Sequence, residues 1–240
     1  MKHIDLSLIL PCYNEVEHFN KSMERIVDSL KNSNLHWEVI FVEDKSQDQT
    51  PKLIKSFLEK HKGSFFHSIW HSQNQGRGRS VADGILAARG EFVGFIDIDC
   101  EASPVYISEC VRLLQEYDVV CGKRIYQTDI SGIVRAIASK LYANLVKFIL
   151  NSNCQDTEAG YKFFRRTKII PILKTVEDTG WFWDTEIMVR SEVANLRIKS
   201  FSILFERRKD KTSTVHLIKD TLDYISKLWK FRLTVQKLRS

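Results

Sequence analysis

Phe92-Val93-Gly94-Phe95-Ile96-Asp97-Ile98-Asp99 is an apolar, strand-like run that ends directly in two carboxylates. Alternate positions on an extended chain point to the same side, so Asp97 and Asp99 face one way together and Glu101 lies one step further along. Such a pair suits a hard, oxygen-bound divalent cation that bridges a diphosphate. The plainer alternative is a loop with a helix cap ahead of Pro104. On either side of this run one pattern recurs, in which an apolar, β-branched run ends in polar residues and an amphipathic stretch follows. Residues 6–10, 37–42, 65–70, 92–96 and 119–121 read as strands, and stretches near 15–33, 48–61, 78–89 and 104–116 as helices. The alternation predicts an α/β protein with a mostly parallel sheet. Open sheets of this kind collect ligands beyond the carboxyl ends of their strands. Those ends carry Pro11-Cys12-Tyr13-Asn14-Glu15, Glu43-Asp44-Lys45-Ser46 and Asp97-Ile98-Asp99.

Beyond Ser131 the pattern changes. Residues 133–150 are apolar, with Arg135, Lys140 and Lys147 and no acid. A turn into a strand is expected over 156–166, a helix over 184–195, a strand near 197–206 and a long helix over 216–238. No repeat, low-complexity stretch or Gly/Ser linker divides the chain. At 240 residues, 43% hydrophobic and 28% charged, with 10 Gly and 4 Pro, it can build a normal core, and disordered, collagenous and coiled-coil classes are excluded. The expected division is a domain over 1–215 with a C-terminal amphipathic helical extension over 216–240. The five cysteines are scattered and form no C-x-x-C pair, and the seven histidines show no metal-ligand spacing. Asp and Glu are therefore the expected metal ligands. No apolar run reaches the roughly 18 residues a membrane span needs, and no leader pattern opens the sequence. A cytoplasmic location is expected. The net charge of +6 suits phosphorylated substrates, an anionic membrane or nucleic acid. No recognition motif accompanies the charge, so nucleic acid is not expected as a partner.

The segment Asn74-Gln75-Gly76-Arg77-Gly78-Arg79-Ser80 offers the G-x-G of a dinucleotide fingerprint, but that fingerprint belongs after the first strand, which here runs into Pro11. A doubly basic, Gly-rich loop opening a helix still suits a phosphate group, or is a plain turn with exposed arginines.

Taken in order, these blocks resemble the family 2 glycosyltransferases of GT-A fold, in particular the group that transfers mannose or glucose to polyprenyl (dolichyl) phosphate. The resemblance runs through residues 8–15, 42–50, 74–90 and 97–99, and continues through Gly122-Lys123-Arg124, Asp156-Thr157-Glu158-Ala159-Gly160-Tyr161-Lys162 and Trp181-Phe182-Trp183-Asp184-Thr185-Glu186. It implies a Rossmann-like mixed sheet flanked by helices, and inverting transfer of a sugar from a UDP- or GDP-linked donor. It places Pro11, Tyr13, Glu15 and Asp44 at the nucleoside, and Asp97 and Asp99 at Mg2+ or Mn2+ with Glu101 as third ligand. Arg124 and Arg135 fall at the acceptor phosphate, Asp184 near the reacting centre, and Arg207, Arg208 and Lys211 in a basic loop over the diphosphate. Asp99, Asp184 and Arg124 are the implied catalytic residues, and Asp97 also belongs to the donor site. Three positions depart from the family pattern. Glu43-Asp44-Lys45-Ser46 replaces Asp-Asp-Gly-Ser, which predicts another turn where Gly ordinarily supplies positive φ. Glu101 replaces Gln, and Thr214 follows Ser213 where Lys is usual.

A phosphate monoester, with a second pKa of about 6, is a dianion at neutral pH and attacks the anomeric carbon without a strong base. Transfer to a glycan hydroxyl is the alternative, and there Asp184 would have to accept the proton. A catalytically silent nucleotide-sugar or membrane-binding subunit is another. Residues 133–150 and 216–238 predict peripheral attachment to the cytoplasmic face of a membrane, directly or through a membrane-anchoring partner subunit. Leu217, Ile218, Leu222, Ile225, Leu228 and Trp229 would form the apolar stripe, with Lys227, Lys230, Arg232, Lys237 and Arg239 facing anionic lipid. Such stripes equally pack on a core or a partner subunit.

Overall fold

A computed structural model of the chain describes residues 3–63, 65–126, 130–206 and 217–239, with the side chains of 130–136, 138 and 217–222 outside the description. Seven strands form one sheet in the order β3-β2-β1-β4-β6-β5-β7. They are β1 (Leu6–Cys12), β2 (Trp37–Glu43), β3 (Phe66–Trp70), β4 (Phe92–Ile96), β5 (Val119–Tyr126), β6 (Tyr161–Arg165) and β7 (Ile198–Phe205). β1 pairs in parallel with β2 and β4, and β2 with β3, whereas β6 runs antiparallel between β4 and β5. The mixed sheet is thus parallel on one side of β4 and carries a single reversed strand on the other.

Both faces of the sheet are covered, which explains why β1 and β4 read as continuous apolar runs. On one face α1 (Phe19–Lys31), α2 (Thr50–Lys60) and α4 (Ile107–Leu113) bury Phe19, Met23, Ile26, Ile54 and Ile107 against Leu8 and Leu10. On the other, α3 (Arg77–Ala87), α6 (Arg166–Leu173) and α7 (Trp183–Val193) bury Val81, Ile85, Ile169, Trp183 and Ile187 against Ile9 and Phe95. All five cysteines are buried, and no disulfide forms among the described residues.

α5 (Ile130–Leu150) and α8 (Leu217–Arg239) lie beside α7 and form a third apolar cluster from Val146, Ile149, Phe182, Val189, Leu228, Phe231 and Val235. The inward stripe of α8 is therefore Leu228, Phe231 and Val235, spaced i, i+3, i+7. Trp229, included in the expected stripe, is 52% exposed. Two of its basic residues are engaged within the chain. Lys227 pairs with Asp178 at 2.8 Å, and Arg239 donates to the carbonyls of Leu150 and Asn151. Leu217, Ile218 and Leu222 have side chains outside the description. Among the described residues no helix is long and apolar enough to cross a membrane.

Two elements differ from the sequence reading. β5 runs on to Tyr126, because Gly122 to Tyr126 pair with Phe201 to Phe205 of β7 alone, beyond the point where β6 stops. Its outer half alternates in exposure and lacks the continuous apolar signal of its buried half. α6, carrying Pro171 in its interior, has no counterpart among the expected helices.

Candidate active site

The carboxyl ends of β1, β2 and β4 open on one side of the sheet, and the loops after them carry the groups the sequence singled out. Asp97 follows β4 and is half-buried; Asp99 is buried two residues later. Asp97, Asp99, Glu101 and Arg124 line one cleft with Gly160 and Phe205. A β-carbon on Gly160 would lie 1.9 Å from Asp97 Oδ2 and 2.7 Å from Arg77 Nη2, so a larger residue there would push both side chains from their places.

The loop after β2 keeps the left-handed conformation in spite of its changed residue. Lys45 has φ of 61°, so the expected change of turn does not occur. Glu43 compensates for the missing glycine, since its carboxylate accepts from the backbone N–H of Lys45 at 3.1 Å and of Ser46 at 2.6 Å. Asn14 Oδ1 accepts from Gln47 N–H, and Ser46 Oγ accepts from Asn14 N–H, so this loop and the one after β1 are clasped together. Pro11 and Glu15 are partly buried on that wall, and Tyr13 is 38% exposed.

Asp44 is buried, and its carboxylate accepts from the N–H groups of Gln75 and Gly76 and bonds His71 Nδ1 at 2.7 Å. It thereby positions the Gly76–Gly78 loop. Gly76 has φ of 96° and sits where a β-carbon would lie 2.5 Å from the Thr179 carbonyl. The two arginines that open α3 then separate. Arg79 is half-exposed and pairs with Asp83, whereas Arg77 turns inward with 11% of its side chain exposed.

Arg77 joins two acids from distant parts of the chain. Its Nε and Nη2 donate to Asp97 Oδ1 at 2.9 and 2.7 Å, and its Nη1 donates to Asp184 Oδ2. Phe95 and Trp181 each lie 5.2 Å from the guanidinium. Asp184 Oδ1 accepts from the fully buried Lys162 Nζ at 2.6 Å. A chain Asp97–Arg77–Asp184–Lys162 thus runs from the cleft into the core, two acids alternating with two cations. Burial raises the carboxyl of Asp97 above its usual range, the charges of Asp99 and Asp184 add to the rise, and Arg77 opposes it.

Arg124 lies on β5 itself rather than after it. Its Nε and Nη2 meet both oxygens of Asp156 at 2.9 Å, its backbone N–H donates to the same carboxylate, and Nη2 approaches Glu158 at 3.4 Å. Burial alone would raise Asp156, but Arg124 outweighs it and holds that carboxyl below its usual range. Burial raises Glu158 instead. Arg124 Nη1 makes no hydrogen bond among the described residues. Arg135 lies on α5 with its side chain outside the description, and Arg207, Arg208, Lys211, Ser213 and Thr214 lie outside the described residues.

Sequence reasoning assigned no role to Lys162, Asp156, Glu158 or Trp181, although all fall inside the matched blocks. The available signal was Lys162 itself, a lysine in the apolar strand Tyr161-Lys162-Phe163-Phe164 that needs a buried partner. Among the described residues, no three His, Cys, Asp or Glu side chains gather as a metal cluster. Asp97 and Asp99, with Glu101 on the same cleft, offer hard oxygen donors, a set whose chemistry fits a divalent cation.

Known proteins resemble the chain along most of its length. The chain is 29% identical over 97% of its length to glycosyltransferase AglD of Haloferax volcanii, and spans 38% of that longer protein. It is 25% identical over 96% of its length to a dolichyl-phosphate beta-glucosyltransferase of Dictyostelium discoideum, covering 78% of it. The fold matches that of Mycobacterium tuberculosis glucosyl-3-phosphoglycerate synthase, solved with Mn2+, uridine diphosphate and glucosyl-3-phosphoglycerate. That match has a TM-score of 0.65 at 16% identity and covers 98% of this chain and 80% of the other. With the glycosyl transferase family 2 profile matching residues 7–173, the chain belongs to family 2 of the glycosyltransferases.

Proposed function

We propose that the protein transfers a sugar, with inversion, from a nucleotide-sugar donor to the phosphate of a polyprenyl or dolichyl phosphate. The observation that carries this is the state of Asp184. Transfer to a hydroxyl needs a base, and Asp184 is held through both oxygens by Arg77 and Lys162. It would have to give up a buried cation before taking a proton. A phosphate dianion needs no base. The names of the relatives support the same acceptor and make a glucose donor the first to try.

Asp97 and Asp99 would hold Mg2+ or Mn2+, with Glu101 on the wall of the same cleft; the cation supplies charge compensation for the departing diphosphate. Pro11, Tyr13 and Glu15 form the nucleoside wall, and Asp44 acts on the donor through the Gly76–Gly78 loop that it pins. Arg124 offers Nη1 to the acceptor phosphate while Asp156 fixes its plane, a geometry suited to phosphate oxygens. The hydrocarbon tail would leave toward α5 and α8. Ile137, Leu141 and Phe148 of α5, with Trp229, Leu233 and Leu238 of α8, are exposed beside Lys140, Lys147 and Lys230. This mixture suits peripheral attachment to an anionic membrane surface.

The test is incubation with UDP- and GDP-sugars and polyprenyl phosphate in Mg2+ or Mn2+, with product mass read out. The expected product is an acid-labile glycosyl phosphodiester, and the unphosphorylated polyprenol stays unmodified. Transfer only to a soluble glycan, or full turnover in a chelator, overturns the acceptor or the metal assignment respectively. Flotation with anionic liposomes checks the membrane surface, and protein that stays at the bottom of the gradient overturns it.

A further inference from the structure

Arg77 occupies a place that the phosphate-loop reading leaves unexplained. It opens α3 but turns away from solvent, and its guanidinium is enclosed by the rings of Phe95 and Trp181. Two of its three nitrogens contact one oxygen of Asp97, the residue assigned to the cation. The third is held by Asp184, which Lys162 holds in turn. Asp97, Arg77, Asp184 and Lys162 balance as two negative and two positive charges without any bound ion. Resting on the metal assignment above, we propose that Arg77 is the resident counter-ion of Asp97, which a divalent cation must displace, so that cation and donor diphosphate enter together.

A divalent cation held by Asp97 and Asp99 would share the Asp97 carboxylate with a guanidinium already within hydrogen-bond distance of its Oδ1. Like charges that close repel strongly in a partly dry site. The diphosphate removes the conflict, because it brings negative charge to both cations and accepts the N–H groups that Arg77 withdraws from Asp97. Asp184 and Lys162 keep the base of the side chain's partner in place during the exchange. Cation and nucleotide should therefore each raise the affinity for the other, by one reciprocal factor. Arg77 is a donor-binding residue in this scheme, since its N–H groups pass from Asp97 to the diphosphate.

The experiment titrates Mn2+ by electron paramagnetic resonance in wild type, Arg77→Gln and Arg77→Lys, without nucleotide and with UDP or GDP. Removing the competing charge should tighten nucleotide-free Mn2+ binding by about tenfold or more in Arg77→Gln. The gain on adding nucleotide should shrink in that variant, and Arg77→Lys, which keeps the charge, should stay near wild type. Equal or weaker Mn2+ binding by Arg77→Gln overturns the proposal, as does Arg77→Lys behaving like Arg77→Gln. A second measurement needs no Arg77 variant. Trp181 lies over the guanidinium, so Mg2+ with nucleotide should change its fluorescence in wild type, and this component should be missing in Trp181→Phe. No such change also overturns the proposal. If wild type binds no Mn2+ even with nucleotide, the metal assignment itself fails, a result distinct from the others.

Discussion

Replacing Asp184 with Asn tests whether the buried charge chain holds the core together. Asp184 is 3% exposed at its side chain and Lys162 is 0% exposed, with 2.6 Å between their charged atoms. The amide keeps an acceptor near Lys162 Nζ but removes the negative charge, leaving the ammonium beside the Ala159 carbonyl and the face of Phe95 with no ion-pair partner among the described residues. Removing one member of a buried pair costs about 3–5 kcal/mol, because the other charge stays out of water unpaired. The retained acceptor puts Asp184→Asn near the lower end, about 3 kcal/mol. For a chain of this size that corresponds to a fall of roughly 6–12 °C in Tm. Adding Lys162→Met should recover most of the loss, since it removes the orphaned charge while Arg77 keeps Asp97. Guanidinium denaturation of wild type, both single variants and the double variant closes the cycle. A cost below about 1 kcal/mol for Asp184→Asn, or a double variant no more stable than that single one, would refute the reasoning.

Further outcomes follow from individual contacts. Gly160→Ala should abolish most turnover while leaving the fold intact by circular dichroism, because the new methyl meets Asp97 at the cleft rather than the core; normal turnover would contradict the close approach. Lys45→Gly should leave stability unchanged or raise it by up to about 1 kcal/mol, since Lys45 already holds positive φ, and a loss of that size would contradict the turn. Burial would raise Glu38, but bonds from Ser7 and Arg89 outweigh it and hold its carboxyl below the usual range. A carboxyl lowered in the folded state adds stability above its unfolded pKa, and that stability is lost as pH falls through the folded value. Glu38→Gln should therefore flatten the acid limb of a stability–pH curve, and an unchanged limb would show the pair to be neutral.

Much of the fold was legible locally. The apolar strands of the first half, the crevice at their carboxyl ends and the long terminal helices each follow from periodicity within about 10 to 20 residues. The outer half of β5 was not legible, because it is held by β7 alone and alternates in burial. α6 was hidden by Pro171, which argues locally against a helix that tertiary packing nevertheless supports.

Local pattern put Asp97, Asp99 and Asp44 directly after apolar strands, where they stand, and the family resemblance singled out Arg124. Only the tertiary structure decided which of those charges face one another. Arg77 meets Asp184 across 107 positions of chain, Arg124 meets Asp156 across 32, and Asp44 meets Gly76 across 32. Periodicity reports the side of an element that a residue occupies, and it carries no information about the distance between groups on different elements. That distance is fixed by the packing of α3 and α7 on the same face of the sheet, so the pairing that makes Asp184 a partner of cations emerges only when the core has closed.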